Sequence, residues 1–171
     1  MKIAALLLMM TGAALAAPVA GDGTRYYEDS IEIAAPAAKL WDAFTVTDVY
    51  RKWAAPVSVV DFRLGGVIEA SYDPKGHLGD PDNIKNMIVG YVPGRSITFR
   101  NVQAPKLLPG GEVYGQTIKT LEFAPLDAGH TRVTVSGVGF AQGAAFDKLY
   151  AFFSDGDAQM LKLLKTAMEK P

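Results

Sequence analysis

From Gly143 to Lys170 the chain reads GAAFDKLYAFFSDGDAQMLKLLKTAMEK. Apolar residues recur at Phe146, Leu149, Tyr150, Phe153, Leu161, Leu164 and Met168. Steps of three and four place them on one side of an α-helix, where each residue turns by about 100°. Such a helix runs for roughly 33 Å at about 1.5 Å per residue, the width of a small domain. Almost everything before it reads as strand. The stripe therefore needs a sheet to lie on, and the expected arrangement is a sheet that curls around the helix.

The strands follow from local alternation and turn residues. RYYEDSIEIA, from Arg25 to Ala34, alternates apolar and polar side chains as a half-buried strand does. Ala35-Pro36 ends it, and Pro36 suits the first turn of a helix carrying Leu40, Trp41 and Phe44. Thr47 or Asp48 is placed to cap a second short helix through Val49, Tyr50 and Trp53. A meander follows: Val57–Leu64, a two-residue turn at Gly65-Gly66, Val67–Tyr72, a polar loop Asp73–Asn83, Ile84–Val92, a tight turn at Pro93-Gly94, and Arg95–Val102. A longer loop, Gln103–Gly115, precedes a last hairpin of Gln116–Pro125 and His130–Gly139. The order is β-α-α-β-β-β-β-β-β-α, and short connections between sequential strands imply antiparallel pairing.

The first residues read as a targeting segment. Lys2 is a positive n-region, Ile3–Leu15 an apolar core shorter than the ~20 residues of a spanning helix, and Ala14-Leu15-Ala16 a small-x-small cleavage site. The expected organisation is a signal peptide over 1–16, a flexible leader over 17–24 and one domain over 25–171. The expected location is beyond the inner membrane, in a periplasm, with no stable membrane anchor. Removing Lys2 leaves 16 basic against 18 acidic residues. The longest basic run is Arg51-Lys52, so the footprint of a nucleic-acid binder is missing. The 171 residues contain no cysteine, which excludes disulfides, thiol nucleophiles and thiolate metal sites.

Chemistry-bearing motifs are sparse. His77 and His130 fall in or beside turns without metal-ligand spacing, and read as exposed polar residues. Asp73, Asp80, Asp82 and Asn83 could offer oxygens to Ca²⁺, but without EF-hand spacing they read as a solvated loop. No nucleophile elbow and no phosphate loop is present, so neither a metal nor a cofactor is called for. Asp61 and Arg63 share one strand face and Arg100 lies on a neighbouring strand. Outward, they form ordinary cross-strand pairs; inward, they would polarise a ligand carbonyl or carboxylate. The outward arrangement is expected, because a buried charge needs a buried partner. Aromatics supply large apolar area, and Trp53, Phe99, Tyr150 and Phe153 are the candidate lining of a ligand cavity. A buried Tyr150 hydroxyl would find its partner in the ligand.

The strings IEIAAPAAKLWDAFTVTDVYRKWAAP and VVDFRLGGVIEASYD resemble the START-like, polyketide-cyclase-like (SRPBCC) superfamily. Within it the chain is most similar to the branch named after homologues of the heat-shock chaperone ATPase activator. The matching positions are Ala35-Pro36, Leu40-Trp41, Trp53, Asp61-Phe62-Arg63-Leu64-Gly65-Gly66, and Leu161, Leu164 and Lys165. The resemblance spans about Arg25 to Glu169. It implies an α+β helix-grip fold: a curved antiparallel six- to seven-stranded sheet wrapped around a long C-terminal helix, with two short helices after strand 1. It also implies a cavity between helix and sheet that takes a small hydrophobic or amphipathic molecule. The family shares no catalytic triad. Three functions follow as expectations: a ligand-binding or carrier protein, a cyclase, dehydratase or hydrolase working in the same cavity, and a chaperone-type interaction module.

One position interrupts the helical stripe. The residue between Phe153 and Leu161 that should be apolar is Asp157, preceded by Ser154-Asp155-Gly156. Glycine weakens a helix interior and Ser154 with Asp157 is similar to a capping box. The expectation is a kink or break over Ser154–Asp157, with the junction serving as a gate.

Overall fold

The computed structural model describes residues 18–170. The expected signal segment lies outside the described residues. Residues 18–24 make a tight turn in which Val19 bridges to Arg25. The chain then forms β1 (Arg25–Ile33), α1 (Ala37–Thr45), α2 (Thr47–Trp53), β2 (Val57–Val60), β3 (Val67–Ser71), β4 (Ile84–Val92), β5 (Ser96–Gln103), a 3₁₀ turn (Gly111–Gln116), β6 (Ile118–Pro125), β7 (Thr131–Phe140) and α3 (Ala144–Met168). All seven strands pair antiparallel in the order β1-β7-β6-β5-β4-β3-β2. This is the expected helix-grip architecture: the N-terminal strand crosses to pair with the last, and the meander fills the rest.

The inward faces follow the two-residue period of strands. Thr131, Val133 and Val135 of β7, Leu121 and Phe123 of β6 and Ile97 and Phe99 of β5 are buried. On α3 the buried positions are Leu149, Phe153, Asp157, Leu161, Leu164 and Met168, a stripe one helical face wide. α3 lies over β1 and β7, at one side of the sheet. Two apolar clusters result. The larger gathers Ile33, Leu40, Phe44, Ile88, Val133 and Leu164; the smaller joins Tyr27, Tyr114, Phe140, Leu149 and Phe153.

Three local expectations are corrected. First, α3 is one continuous helix through Ser154–Asp157, so neither the break nor the gate is present. Ser154 does not cap; its hydroxyl donates to the Ala151 carbonyl at 3.3 Å. Asp157 stays on the inward stripe because it has buried partners there. Second, Gly65-Gly66 is not a two-residue hairpin turn. β2 stops at Val60, and Asp61–Gly66 loops so that the Gly65 amide and Gly66 carbonyl bond to Ile88 of β4, both at 2.8 Å. A Cβ on Gly66 would fall 2.0 Å from the Asp61 carbonyl oxygen, so only glycine permits this loop. Third, neither Thr47 nor Asp48 caps α2. Val46 holds that position, and the Thr47 hydroxyl accepts the Val60 amide at 3.0 Å, tying α2 to β2.

Candidate functional site

A row of residues in register crosses five strands. Tyr27 of β1 pairs with Gly137 of β7, Gly137 with Lys119 of β6, Lys119 with Phe99 of β5, and Phe99 with Ile88 of β4. Residues directly opposite share a face of the sheet. Lys119 is therefore carried inward by the same alternation that buries Leu121 and Phe123. Gly137 leaves space in the row, and the Tyr27 ring fills it: a Cβ on Gly137 would lie 2.4 Å from that ring.

Asp157 of α3 descends onto this row. Its Oδ1 accepts from Lys119 Nζ at 2.7 Å, and its Oδ2 accepts from the Tyr27 hydroxyl. The side chains of Lys119 and Asp157 are only 17% and 7% exposed. The Lys119 ammonium also lies 4.0 Å from the centre of the Phe153 ring, a cation–π contact. Each charge thus has the partner that a buried ion requires. Burial lowers the Lys119 pKa against the opposing pull of Asp157. Burial, reinforced by the Asp157 charge, pushes the Tyr27 hydroxyl far above its ordinary range, so Tyr27 stays a donor.

Beside the pair opens a pocket of about 380 Å³. It arises because α3 covers β1 and β7 while the sheet continues beyond it. Tyr50 and Trp53 of α2 and Ala54 just after it wall one side; Pro105, Leu108 and Tyr114 of the β5–β6 connection wall another. Phe99 and Leu121 form part of the floor, and Phe153, Gly156 and Met160 the helical side. Phe152, Leu163 and Tyr72, which also line it, are 44%, 62% and 67% exposed and form its rim. Lys119 and Asp157 are respectively the basic and the acidic side chain of the wall among the described residues. Burial raises the pKa of Tyr50 and Tyr114, so both hydroxyls are neutral.

Of the candidate lining residues, Trp53, Phe99 and Phe153 stand in the pocket wall. Trp53 is fixed by its indole N–H donating to the Ala43 carbonyl at 2.8 Å. Phe153 packs on Tyr114 with ring centres 4.5 Å apart. Tyr150 is outside the pocket. It sits at the helix edge under Arg25, 5.3 Å from its ring, and its hydroxyl donates to the Tyr26 carbonyl at 3.2 Å. One residue past Leu149, it points about 100° away from the buried stripe.

Asp61, Arg63 and Arg100 are exposed, as expected, although Asp61 and Arg63 pair with each other within a loop (2.8 Å) rather than across strands. His77 and His130 are exposed and lie beside Asp80 and Asp127. Among the described residues, no group of three or more His, Asp or Glu side chains is placed to hold a metal ion. Sequence reasoning singles out Asp157 but not its partners Lys119 and Tyr27. The signal for Lys119 with Asp157 was an ionisable residue in an apolar alternation and another on an apolar helical stripe.

The family model described as activator of Hsp90 ATPase homolog 1-like protein matches residues 34–169. The chain belongs to this family. With it comes the START-like superfamily, and the solved structures that resemble this member agree in fold. An Aha1 dimer from Colwellia psychrerythraea is 18% identical, with a TM-score of 0.66, 84% of this chain and 96% of that one covered. An aromatase/cyclase from Streptomyces is 17% identical, with a TM-score of 0.61 and 85% and 94% covered. Norcoclaurine synthase from Thalictrum flavum, solved with dopamine and hydroxybenzaldehyde, is 12% identical, with a TM-score of 0.60 and 86% and 88% covered. A comparison with curated proteins gives no match.

Proposed function

We propose that this family member is an exported protein that takes a small hydrophobic or amphipathic molecule into the pocket between α3 and the sheet. The observation that carries this reading is the space itself: about 380 Å³ with an aromatic and aliphatic wall and a single buried charge pair. Small-molecule sites are built this way, apolar for affinity with few polar groups for orientation. Fold relatives solved with dopamine and hydroxybenzaldehyde, or named for aromatase/cyclase activity, support it by analogy. Export rests on the n-region, apolar core and cleavage site over 1–16.

The test is saturable binding of the neutral fluorophore N-phenyl-1-naphthylamine. One site per chain is expected, abolished by Ala54→Trp, which fills the pocket from the C-terminal end of α2. Absence of saturable binding, or equal binding by the filled variant, sinks the reading. Native mass spectrometry of protein purified from its own compartment would then show what it carries.

Catalysis in the same pocket is the second reading, and one observation favours it. A base and an acid, Asp157 and Lys119, converge within hydrogen-bond reach at the pocket wall, the arrangement that general acid–base chemistry needs. A pocket ligand that is consumed rather than retained would decide for it.

A further inference from the structure

The binding site has a chemical polarity that narrows what enters it, an inference that rests on the pocket being a ligand site. We infer that Lys119 is the head-group anchor of the pocket and selects an uncharged molecule bearing a hydrogen-bond acceptor, such as a ketone, aldehyde or ester, on an apolar body.

The donor count leads there. An ammonium has three N–H donors. Among the described residues the hydrogen-bond acceptor of Lys119 is Asp157 Oδ1, while its flank rests on the Phe153 ring. Lys119 lines the pocket and keeps a partly exposed side chain, so its remaining donors are available to an occupant. Asp157 is already engaged at both oxygens, one by Lys119 and one by Tyr27. The wall therefore offers a charged donor and keeps its carboxylate occupied.

Charge decides which acceptor fits. Lys119 and Asp157 cancel, and the other polar side chains of the wall, the hydroxyls of Tyr50, Tyr72 and Tyr114, the amides of Asn86 and Gln159 and the Trp53 indole, are neutral. A ligand carboxylate bound here would leave two anions sharing one cation in a poorly solvated space. Like charges so placed repel, and desolvation adds to the penalty. A ligand amine would put two cations beside one carboxylate, whose charge Lys119 already balances. A neutral oxygen accepts from Lys119 without disturbing the pair. The apolar body then lies along Phe153 and Met160 towards the Phe152–Leu163 rim.

Matched naphthalenes test this by calorimetry at neutral pH: 2-acetylnaphthalene, 2-isopropylnaphthalene and 2-naphthoate. The ketone is expected to bind about tenfold tighter than the hydrocarbon, the effect of one net hydrogen bond to a charged donor, and tighter than the carboxylate. In Lys119→Met the ketone's advantage over the hydrocarbon should fall to nearly none. The paired variant K119M/D157L, which leaves no lone charge, gives the same reading if the single variant fails to fold. If all three bind alike, if naphthoate binds tightest, or if the ketone's advantage survives removal of Lys119, the anchor is overturned while the pocket stands. If none binds the wild-type protein, the pocket reading and the anchor fall together.

Discussion

Gly137 and Tyr27 are partners across β7 and β1, and the Tyr27 ring occupies the place where a Gly137 side chain would be. A Cβ there would meet Tyr27 Cε1 at 2.4 Å and its hydroxyl oxygen at 2.7 Å. The ring is held by Phe140 and Tyr150, with centres 5.6 and 6.0 Å away, and has little room to retreat. Gly137→Ala is therefore expected to destabilise the protein by about 1–3 kcal/mol, the usual effect of overpacking. It should also part Tyr27 from Asp157. Urea unfolding checks the first point, and the second follows if Tyr27→Phe adds little to G137A. Full stability of G137A would overturn it.

The relationship shows what local pattern reveals and what it does not. The α3 stripe and the alternation of β6 and β7 are set by residues within one or two turns of each other, so they were legible. Trp53, Phe99 and Phe153 line the pocket, and the local signal in each is an aromatic at a helix or strand spacing. The pair of Lys119 and Asp157 was not legible, because its members are 38 residues apart and meet only through the register of β6 beneath α3. Asp157 on the stripe reads, from local pattern alone, as a break. An acid at an inward position has a second resolution, a buried cation, and Lys119 between the inward positions Phe99 and Leu121 was the place to look. Tyr150 lies outside the pocket because its spacing fits the edge of the stripe as well as its centre.

Breaking the buried pair from one side should cost more than removing it whole. Lys119→Met leaves Asp157 with Tyr27 alone, and Asp157→Leu leaves a cation against apolar groups. Each single variant is expected to lose about 3 kcal/mol. The double variant should lose at least about 2 kcal/mol less than the two singles together, since no lone charge remains. A double-mutant cycle by urea denaturation measures this. Additivity within about 0.5 kcal/mol would show that the two charges do not depend on each other.

The buried tyrosines set an alkaline limit. Burial raises the pKa values of Tyr27, Tyr50 and Tyr114, with Asp157 contributing at Tyr27 and Tyr114 and Tyr72 at Tyr50. The folded state thus keeps protons that the unfolded chain releases near pH 10, and stability present below that pH is lost above it. Three such groups give a slope of about 4 kcal/mol per pH unit at the steepest. Lys119 acts oppositely. Its pKa is lowered, so between that value and about 10.4 the unfolded state binds the extra proton and stability rises. The expected profile rises gently to near pH 10 and then falls steeply. Tyr50→Phe should remove about a third of the fall; a decline shallower than one proton's slope contradicts the assignment.

Gly110 fixes the wall that carries Leu108 and Tyr114. It has φ of 71°, and an added Cβ would lie 2.3 Å from the Ala145 carbonyl oxygen and 2.8 Å from Leu149 Cβ. Backbone strain and contact with α3 act together in Gly110→Ala, for an expected loss of about 2–4 kcal/mol. Gly94→Ala is the control. It has the same sign of φ and nothing within 4 Å, so it should lose only the strain, about 1–2 kcal/mol. Equal losses by calorimetric melting would mean that the wall does not depend on close approach to α3.

Gly156 tests the continuity of α3 itself. It lies inside the helix with nothing within 4 Å of an added Cβ, and its φ is not in the left-handed region. Gly156→Ala should therefore stabilise the protein by about 0.5–1 kcal/mol, by restricting the unfolded chain and favouring helix. In a helix broken at Ser154 the same change would gain nothing, because glycine at a junction is there for its freedom. Gly156 also lines the pocket, so the methyl group narrows the space beside Asp157. A more stable variant with weaker uptake of N-phenyl-1-naphthylamine is the expected pair of results. A destabilised G156A would contradict the open helical environment of this position.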